Sequence, residues 1–515
     1  MNYPDSVQFL YSLGNEIKTA KLGLERIGAV LEALRRPHGR YPIVHVAGTN
    51  GKGSICAMVE SGLRATGLRT GMFTSPHLIE PTERIRIDGE PVSAERFADA
   101  FDRVHEIVER LLAAGVIDLH TTYFETVTAM ALLIFAEAGT DAVVLEVGLG
   151  GRLDATNVVT PELCVISPID FDHERYLGRS LEAIAGEKAG ILKPGVPAVF
   201  SRQRAEVAPV LERRAREVGA PVAWTADLDV DEAEVDARGS RFRLRPGGAG
   251  LRGACEIQPV RAKDVSPGRE PWEDRARRRA PEGGDRAFFR PFQGLARITS
   301  ASQGSRPGLT SFAPYGAWTS AQAQFHGRAP TEPEACPTLH IRCPLAGEHQ
   351  VENAITAAAA LIGLGIPASA IERGIAAAYW PGRLELVSER PEIVLDGAHN
   401  PAGARALAAY IDRFYSGRNV RLIYGAMRDK AVAEMGGILF PHAREVIVTA
   451  PREARAMAPE TLSRIAEHPN MRIAPGIEEA LEMVAGAAPE DAIFITGSLF
   501  LVAEVRAILK PSRLL

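Results

Sequence analysis

The amino-acid sequence predicts an α/β protein with two domains, each built on a parallel β-sheet. Short runs rich in β-branched residues alternate with helical patterns along most of the chain, which is typical of strands joined by crossover helices. A glycine-rich loop lies between a predicted strand and a predicted helix near the N-terminus. The chain has 515 residues, which is too many for one ordinary hydrophobic core and favours two domains.

The first domain is predicted to occupy residues 1–377. Residues 42–48 predict a buried strand, and residues 52–65 the helix that follows it. The remaining elements continue the same alternation. Strands are predicted at residues 142–147, 163–167 and 198–201, and helices at residues 94–114 and 124–138.

Residues 247–337 interrupt this domain, because periodicity disappears and Arg, Pro, Gly and Ser become frequent. Such a composition cannot bury enough apolar surface to offset its ordering entropy, so we expect a disordered insertion. A basic docking patch is the alternative, although acidic residues are interspersed. Residues 240–246 before the insertion and the segment from residue 338 after it each predict a strand.

The second domain, residues 378–515, is predicted to begin near the YWPGR segment, whose Pro-Gly pair favours a hinge. Each of its predicted strands is followed by a helical pattern, so we expect a smaller, Rossmann-like α/β fold. These strands are predicted at residues 392–396, 420–424, 445–449 and 492–496.

The composition excludes several classes of protein. Hydrophobic residues make up 46% and charged residues 24%, as in water-soluble globular proteins, and the net charge of -5 argues against a dedicated nucleic-acid binder. Five scattered cysteines without a CxxC pair indicate reduced thiols. There is no signal-peptide pattern, and the most apolar helix candidate, residues 126–139, is too short to cross a membrane. We therefore expect a cytoplasmic monomer that binds neither nucleic acid nor membrane.

The most specific motif is GTNGKGS, residues 48–54. Glycines let backbone amides turn towards phosphate oxygens, and the N-terminal end of the next helix favours negative charge. Lys52 is placed to reach the terminal phosphates, with Ser54 on the phosphate and metal side. The spacing departs from the usual GxxxxGK[ST] pattern, because a glycine separates Lys52 from Ser54. A simple glycine turn is the alternative, but the strand before the loop and the helix after it favour a phosphate-binding loop.

Four further clusters follow predicted strands or start the helices beyond them, which is where open parallel sheets bind ligands. They are TSPHL with ERIRIDG, LEVGLGGRLDATN, DFDHERYLG and GEKAGILKPG. Mg²⁺ prefers oxygen ligands, so Ser75 and Glu146 suit magnesium, and His173 is a less usual ligand. Taken alone, His173 would more often be a hydrogen-bonded structural histidine, and Lys188 a solvated lysine at the start of a helix.

With these motifs the sequence resembles the folylpolyglutamate synthase and dihydrofolate synthase family of the Mur ligase superfamily. The resemblance covers nearly the whole chain except residues 247–337. Its motifs occur in the family's order and are GTNGKGS, TSPHL, ERIRI, GLGGRLDATN, DHERYLG, EKAGI, GEHQVENA, PGRLE, LDGAHNP, DK and GSLFL. The resemblance implies a P-loop ATPase-like domain, a smaller C-terminal domain that binds glutamate, and ATP with two Mg²⁺ ions as cofactors.

The resemblance also implies roles for the residues that match. The residues implied in ATP binding are Thr49, Asn50, Gly51, Lys52, Gly53 and Ser54 at the phosphates, Gln350 and Asn353 towards the base, Arg383 at the phosphates and Asp396 on the ribose side. The residues implied in metal binding are Ser75, Glu146 and His173. The residues implied in catalysis are Lys52, Lys188, which is typically carbamylated in the family, and His399. Lys430 and Ser498 fall where the family places the incoming glutamate.

The implied reaction is amide formation through an acyl phosphate. The γ-phosphoryl group of ATP activates a carboxylate, which the amine of L-glutamate then attacks. The carboxylate belongs to dihydropteroate, to a folate tail or to both, and we favour a bifunctional enzyme. The alternatives are folylpolyglutamate synthesis only, or another Mur-type amino-acid ligase.

Two other classes of protein fit the sequence less well. A cell-wall Mur ligase would carry an additional N-terminal domain, whereas about 40 residues precede the first predicted strand. A P-loop regulator without ligase chemistry would lack the lysine after the DH motif and the DGAHNP cluster, and both are present.

Overall fold

The computed structural model describes residues 1–14, 23–245 and 338–509, and the structural statements that follow concern those residues. The predicted insertion, residues 247–337, lies outside them. The predicted boundary between residues 377 and 378 stays a prediction.

The largest sheet has eight strands in the order β4-β3-β2-β5-β1-β6-β7-β8. Its strands are β1 (Ile43–Ala47), β2 (Thr70–Phe73), β3 (Ile85–Ile87), β4 (Glu90–Pro91), β5 (Ala142–Glu146), β6 (Leu163–Ile166), β7 (Ala198–Phe200) and β8 (Val222–Trp224). Six of them are parallel, whereas β3 and β4 pair antiparallel at one edge. The predicted α/β fold is confirmed, and the antiparallel edge is an addition to it.

Helices cover both faces of this sheet. They are α1 (Tyr3–Ser12), α2 (Glu25–Ala33), α3 (Lys52–Arg64), α4 (Ala94–Ala113), α5 (Tyr123–Ala138), α6 (Glu174–Leu177), α7 (Leu181–Ala189) and α8 (Ala208–Val218). Helix α5 begins with a capping box between Thr122 and Glu125, and nearly all of its residues are buried. Its lack of a polar face follows from this central position.

A second sheet consists of three antiparallel strands, β9 (Asp229–Asp236), β10 (Gly239–Arg245) and β11 (Leu339–Cys343). Strands β10 and β11 confirm the two strands predicted on either side of residues 247–337. Leu244 lies opposite Leu339 in their ladder. The two ends of the chain that flank the insertion are therefore direct neighbours.

The third sheet has six strands in the order β12-β13-β17-β14-β15-β16. Its strands are β12 (Glu385–Glu389), β13 (Glu392–Leu395), β14 (Val420–Tyr424), β15 (Glu445–Val448), β16 (Met471–Ile473) and β17 (Ala492–Thr496). All are parallel except β12, which pairs antiparallel with β13. All four strands predicted here are confirmed, within a residue at their ends.

The helices that follow β11 complete the fold. They are α9 (Glu348–Gly363), α10 (Ala368–Ala376), α11 (Pro401–Tyr415), α12 (Val432–Leu439), α13 (Pro459–Ile465), α14 (Ile477–Val484) and α15 (Leu499–Leu509). Helix α10 crosses α3 closely, since a Cβ on Gly374 would lie 2.4 Å from the Cα of Gly62. In the described parts of the chain, no helix is both long and apolar enough to cross a membrane.

Candidate active site

The chain after β1 forms a tight loop that leads directly into α3. Gly51 has a φ of 86°, in the left-handed region that favours glycine, and it precedes the first helical residue, Lys52. A Cβ on Gly51 would lie 2.2 Å from Oδ1 of Asn353, and one on Gly53 would lie 2.7 Å from Nε1 of Trp380. Close packing therefore requires both glycines, and at Gly51 the backbone geometry requires one as well.

The loop is anchored to the chain that follows β6. The backbone N–H of Thr49 donates to the carbonyl of Pro168 at 3.0 Å, and its hydroxyl donates to the Asp170 carbonyl at 3.0 Å. Lys52 Nζ donates to the carbonyl of Thr49 at 3.1 Å, inside the loop itself. The lysine thus lies at the mouth of the loop, where it can exchange this carbonyl for a phosphate oxygen.

Helix α9 packs against the start of α3 through two buried amide side chains. Gln350 Nε2 donates to the Ser54 hydroxyl at 3.2 Å, and Asn353 Nδ2 donates to Oε1 of Gln350 at 3.0 Å. The structure therefore brings Gln350, Asn353 and Ser54 together, as expected for one site. These amides contact the phosphate-binding loop directly.

Glu146 ends β5 and Ser75 follows β2, so the adjacent pairing of these strands brings them together. The Ser75 N–H donates to Oε2 of Glu146 at 3.1 Å. Burial raises the pKa of Glu146, and the charges of Lys52 and Arg383 oppose this effect. A buried carboxylate facing the phosphate-binding loop has the character of a cation ligand.

Lys188 lies in the last turn of α7, so the prediction that it starts a helix is wrong. Its motif follows strand β6 and the short helix α6, and the motif covers the end of α7 instead of its start. The side chain is 5% exposed, and Nζ donates to the carbonyl of Gly48 at 2.7 Å. Burial, and then the charge of Lys52, lower the pKa of Lys188 to about 7. The solvated-lysine alternative is therefore excluded.

Asp172 links the phosphate-binding part of the chain to the third sheet. Lys430 Nζ donates to Oδ1 of Asp172 at 2.7 Å, and Nε2 of His399 lies 3.6 Å from Oδ2. Burial alone would raise the pKa of Asp172, but the interaction with His399 and the charge of Lys430 outweigh it and hold this pKa well below its usual range. Asp172 belongs to the DHERYLG motif, but no role could be predicted for it, because Lys430 and His399 lie more than 200 residues away in the sequence.

His173 adjoins this cluster and precedes α6 with a φ of 52°. Its Nε2 lies 3.8 Å from Oδ2 of Asp172. Burial lowers the pKa of His173 to about 4, so the ring is neutral at pH 7 and a nitrogen lone pair is available to a cation.

Asn400 makes a further contact between the phosphate-binding part of the chain and the part that carries the third sheet. Its Nδ2 donates to Oδ1 of Asn50 at 3.0 Å and to Oδ2 of Asp172 at 3.3 Å. Its Oδ1 accepts the N–H of Gly403, which caps α11. Sequence reasoning missed Asn400, although its position before Pro401 in the LDGAHNP motif is that of a helix cap.

Arg383 and Asp396 lie where the chain enters the third sheet. Burial lowers the pKa of Arg383, and the charges of Asp396 and Glu146 oppose this effect. The two oxygens of Asp396 accept the N–H groups of Leu384 and Ala398, each at 3.0 Å. Asp396 thus fixes the backbone just before β12 and just after β13.

A cleft of about 340 Å³ gathers most of these side chains. The predicted site residues that line it are Thr49, Asn50, Gly51, Lys52, Gly53, Ser54, Ser75, Glu146, His173, Lys188, Gln350, Asn353, Arg383, Asp396 and His399. Lys430 reaches it through Asp172. Ser498 is 2% exposed, and its hydroxyl accepts the N–H of Phe500 at 3.1 Å, as a helix cap does.

Comparison with known proteins gives consistent results. Residues 382–499 match the family model described as Mur ligase, glutamate ligase domain. The chain is 32% identical to the dihydrofolate synthase/folylpolyglutamate synthase of Mycobacterium tuberculosis, over 94% of this chain and 89% of that protein. It is also 32% identical to a probable bifunctional folylpolyglutamate synthase/dihydropteroate synthase of Haloferax volcanii, but it spans only 50% of that protein's length. The structure of E. coli FolC in complex with DHPP and ADP superimposes with a TM-score of 0.74 at 27% identity, covering 100% of this chain and 99% of that one.

Proposed function

The chain belongs to the folylpolyglutamate synthase/dihydrofolate synthase family of ATP-dependent ligases, and we propose that it joins L-glutamate to pteroate and folate carboxylates. The observation that carries this proposal is the cleft in which the phosphate-binding loop faces the cations of the third sheet. ATP and an anionic amino acid would meet there.

The phosphate end of the site would act by electrostatics and positioning. Phosphoryl transfer needs little covalent help from a protein, but it needs its negative charge neutralised. Lys52 would exchange the Thr49 carbonyl for the terminal phosphates, and Arg383 would approach from the other side of the cleft. Thr49, Asn50, Gly51, Gly53 and Ser54 would supply the backbone and hydroxyl donors of the loop.

The amide and carboxylate groups of the cleft would position the rest of ATP. Asn353 abuts Gly51, and Gln350 is bonded to Ser54, so both would set the conformation of the loop while contacting the nucleotide. Asp396 would act on the ribose side through the backbone that it holds.

Magnesium fits the residues at the edge of the large sheet. Glu146 offers a buried carboxylate, and Ser75 and His173 offer a hydroxyl and a neutral imidazole. Bound Mg²⁺ would neutralise the phosphate charge as it develops. These three side chains would hold and orient that ion. Titration of the wild type and of Glu146→Gln with Mg²⁺ tests this role.

Amide formation then requires an activated carboxylate and a free amine. Transfer of the γ-phosphoryl group to the substrate carboxylate gives an acyl phosphate and ADP. Attack by the glutamate amine breaks the acyl–oxygen bond and releases inorganic phosphate. Holding both reactants in one cleft raises their effective concentration, and excluding water protects the acyl phosphate from hydrolysis.

Glutamate would be selected near Lys430 and His399. A dianionic amino acid needs a cation for its side-chain carboxylate. Lys430 is paired with Asp172 in this structure, so binding would require it to share or exchange that partner. Ser498 would contribute through the start of α15, which its side chain caps.

Lys188 is proposed to act as a carbamate. Carbamylation requires a neutral amine, and a pKa of about 7 leaves a large neutral fraction near physiological pH. The product would be an anion that can orient a metal or its water. Mass analysis of the intact protein with and without bicarbonate tests this modification.

Bifunctional activity is favoured by the relatives named as both dihydrofolate synthase and folylpolyglutamate synthase. The deciding experiment supplies ATP, Mg²⁺ and glutamate with either dihydropteroate or tetrahydrofolate, and identifies the products by mass spectrometry. A glutamate adduct with each substrate supports the proposal. Adducts with tetrahydrofolate only would restrict the activity to tail extension, and ATP hydrolysis without any adduct would overturn ligase function.

We also propose a cytoplasmic monomer. The described cysteines Cys56, Cys164 and Cys343 are free and buried, which suits a reducing compartment. Cell fractionation and light scattering test these two points.

A further inference from the structure

A second group of metal-binding side chains lies outside the cleft. His105 and Glu109 are one turn apart on α4, and His120 lies in the segment that joins α4 to α5. One ligand atom from each side chain lies within 4.8 Å of the others. Within the described ranges, no other three His, Cys, Asp or Glu side chains come together in this way.

The tautomer of His120 suits a cation. Nδ1 of His120 lies 2.8 Å from the carbonyl oxygen of Thr121, so Nδ1–H donates and Nε2 keeps its lone pair. Metal-binding histidines commonly donate their other N–H to such a carbonyl. Nε2 lies 3.6 Å from Oε1 of Glu109, and Nδ1 of His105 lies 3.9 Å from the same oxygen.

Both of these ring nitrogens are buried, and neither has a hydrogen-bond partner among the described residues. Buried polar atoms in native proteins are normally paired, so two such nitrogens beside one carboxylate need an explanation. Aromatic packing explains why the two rings are buried, but it does not explain why these two nitrogens lack hydrogen-bond partners. A bound cation would satisfy both at once.

The two imidazole rings are already held in place. The Phe9 ring centroid lies 4.7 Å from that of His105 and 5.8 Å from that of His120, and Phe101 stacks on His105 at 5.5 Å. Side chains that are fixed before binding lose little further conformational entropy when a ligand arrives.

We infer that His105, Glu109 and His120 form a binding site for a borderline transition-metal cation, of which Zn²⁺ is the representative. Two imidazole nitrogens, one carboxylate oxygen and a water molecule are a common Zn²⁺ set, with bonds of about 2.0–2.2 Å. Such bonds in a tetrahedron place neighbouring ligand atoms about 3.3 Å apart, so modest side-chain movements complete the site. Mg²⁺ would not compete well, since it prefers oxygen ligands.

The bound ion would fasten the last turns of α4 to the segment before α5. It is therefore a structural site, separate from the reaction, and its test needs no activity measurement. The full-length protein is stripped of metal with a chelator and titrated with Zn²⁺, and with Co²⁺ for its visible absorption. Glu109→Gln and His120→Gln are compared with the wild type.

His442→Gln is the matched control, because Nδ1 of His442 lies 2.6 Å from Oδ1 of Asp412 in a histidine–carboxylate pair that has no third ligand among the residues that the structure describes. Glu109 is 55% exposed at its side chain, so Glu109→Gln should fold normally. Any Zn²⁺ that binds in the cleft should bind equally to the wild type and to the three variants, so it does not affect the difference between them.

We expect the wild type and His442→Gln to bind one more equivalent of Zn²⁺ than Glu109→Gln and His120→Gln, or to bind it at least about 10-fold more tightly. Zn²⁺ should also raise the Tm of the first two proteins more than that of the other two. Equal stoichiometry and affinity in all four proteins would overturn the inference, as would a wild type that binds no Zn²⁺ at micromolar concentration.

Discussion

Replacing Lys188 by Met tests the energetic consequence of burying an amine beside the phosphate-binding loop. The two side chains have similar length and shape, so Lys188→Met removes the charge and the bond to Gly48 with little change in packing. Burial and the charge of Lys52 lower the pKa of Lys188 to about 7 from its ordinary value of 10.5. In the unfolded chain the pKa of this amine returns to its ordinary value.

The sign and size of the effect follow from this difference. Between pH 7 and 10.5 the unfolded lysine keeps its proton while the folded one has lost it, so the unfolded state binds more protons and stability rises with pH. The complete shift corresponds to about 5 kcal/mol, at about 1.4 kcal/mol per pH unit. Relative to Lys188→Met, we expect the wild type to gain about 2 kcal/mol between pH 7 and pH 9.

Chemical denaturation of both proteins at pH 7, 8 and 9, in buffers free of carbon dioxide, measures this difference. Subtracting the variant removes the contributions of tyrosines and other groups that both proteins share. A difference in unfolding free energy that stays constant from pH 7 to pH 9 would refute the argument. The variant should also be inactive as a ligase, since the proposed carbamate cannot form.

The other predictions concern the two ends of the cleft and the insertion. Lys52→Ala should lower kcat/KM about 100- to 1000-fold with an unchanged Tm, and a near-normal rate would remove its phosphate role. Lys430→Ala should raise the KM for glutamate much more than the KM for ATP, whereas the exposed control Arg472→Ala, on the edge strand β16, should change neither; equal effects on both substrates would indicate a folding defect. Replacing residues 247–337 by a short Gly-Ser turn should preserve ligase activity, because closure costs only about 0.6 kcal/mol per doubling of loop length. A folded but inactive deletion protein would show that the segment takes part in function.

Much of the fold could be predicted because its signals are local. Buried parallel strands appear as short apolar runs, and β1, β5 and β17 are buried along their whole length. Strand β9 was missed because its sequence, DVDEAEVD, is mostly exposed and polar and has no apolar run. Strand β9 forms because it pairs with β10, and its own sequence does not reveal this pairing.

The site could be predicted where a motif fixes a position relative to a strand. Lys52 and Glu146 were placed in this way, since the carboxyl ends of parallel strands share one edge. The contacts of Asp172 could not be predicted, because its partners Lys430 and Asn400 come from another sheet. The proposed metal-binding group could likewise be predicted only in part. The spacing of His105 and Glu109 on a helix is visible in the sequence, but His120 joins them only through the turn after α4.

Asn400 makes the start of a helix and the docking of the phosphate-binding loop depend on one side chain. Its Oδ1 accepts the Gly403 N–H at the start of the helix and also Nδ2–H of Asn50 at 3.4 Å, and its Nδ2 donates to Asn50 and Asp172. An aspartate would keep the cap but would place a second anion against Asp172, and a serine would keep the cap but is too short to reach across. A carboxamide therefore permits both the helix cap and the bonds to Asn50 and Asp172. If the cleft opened during turnover, the bonds to the loop would break while the helix stayed capped.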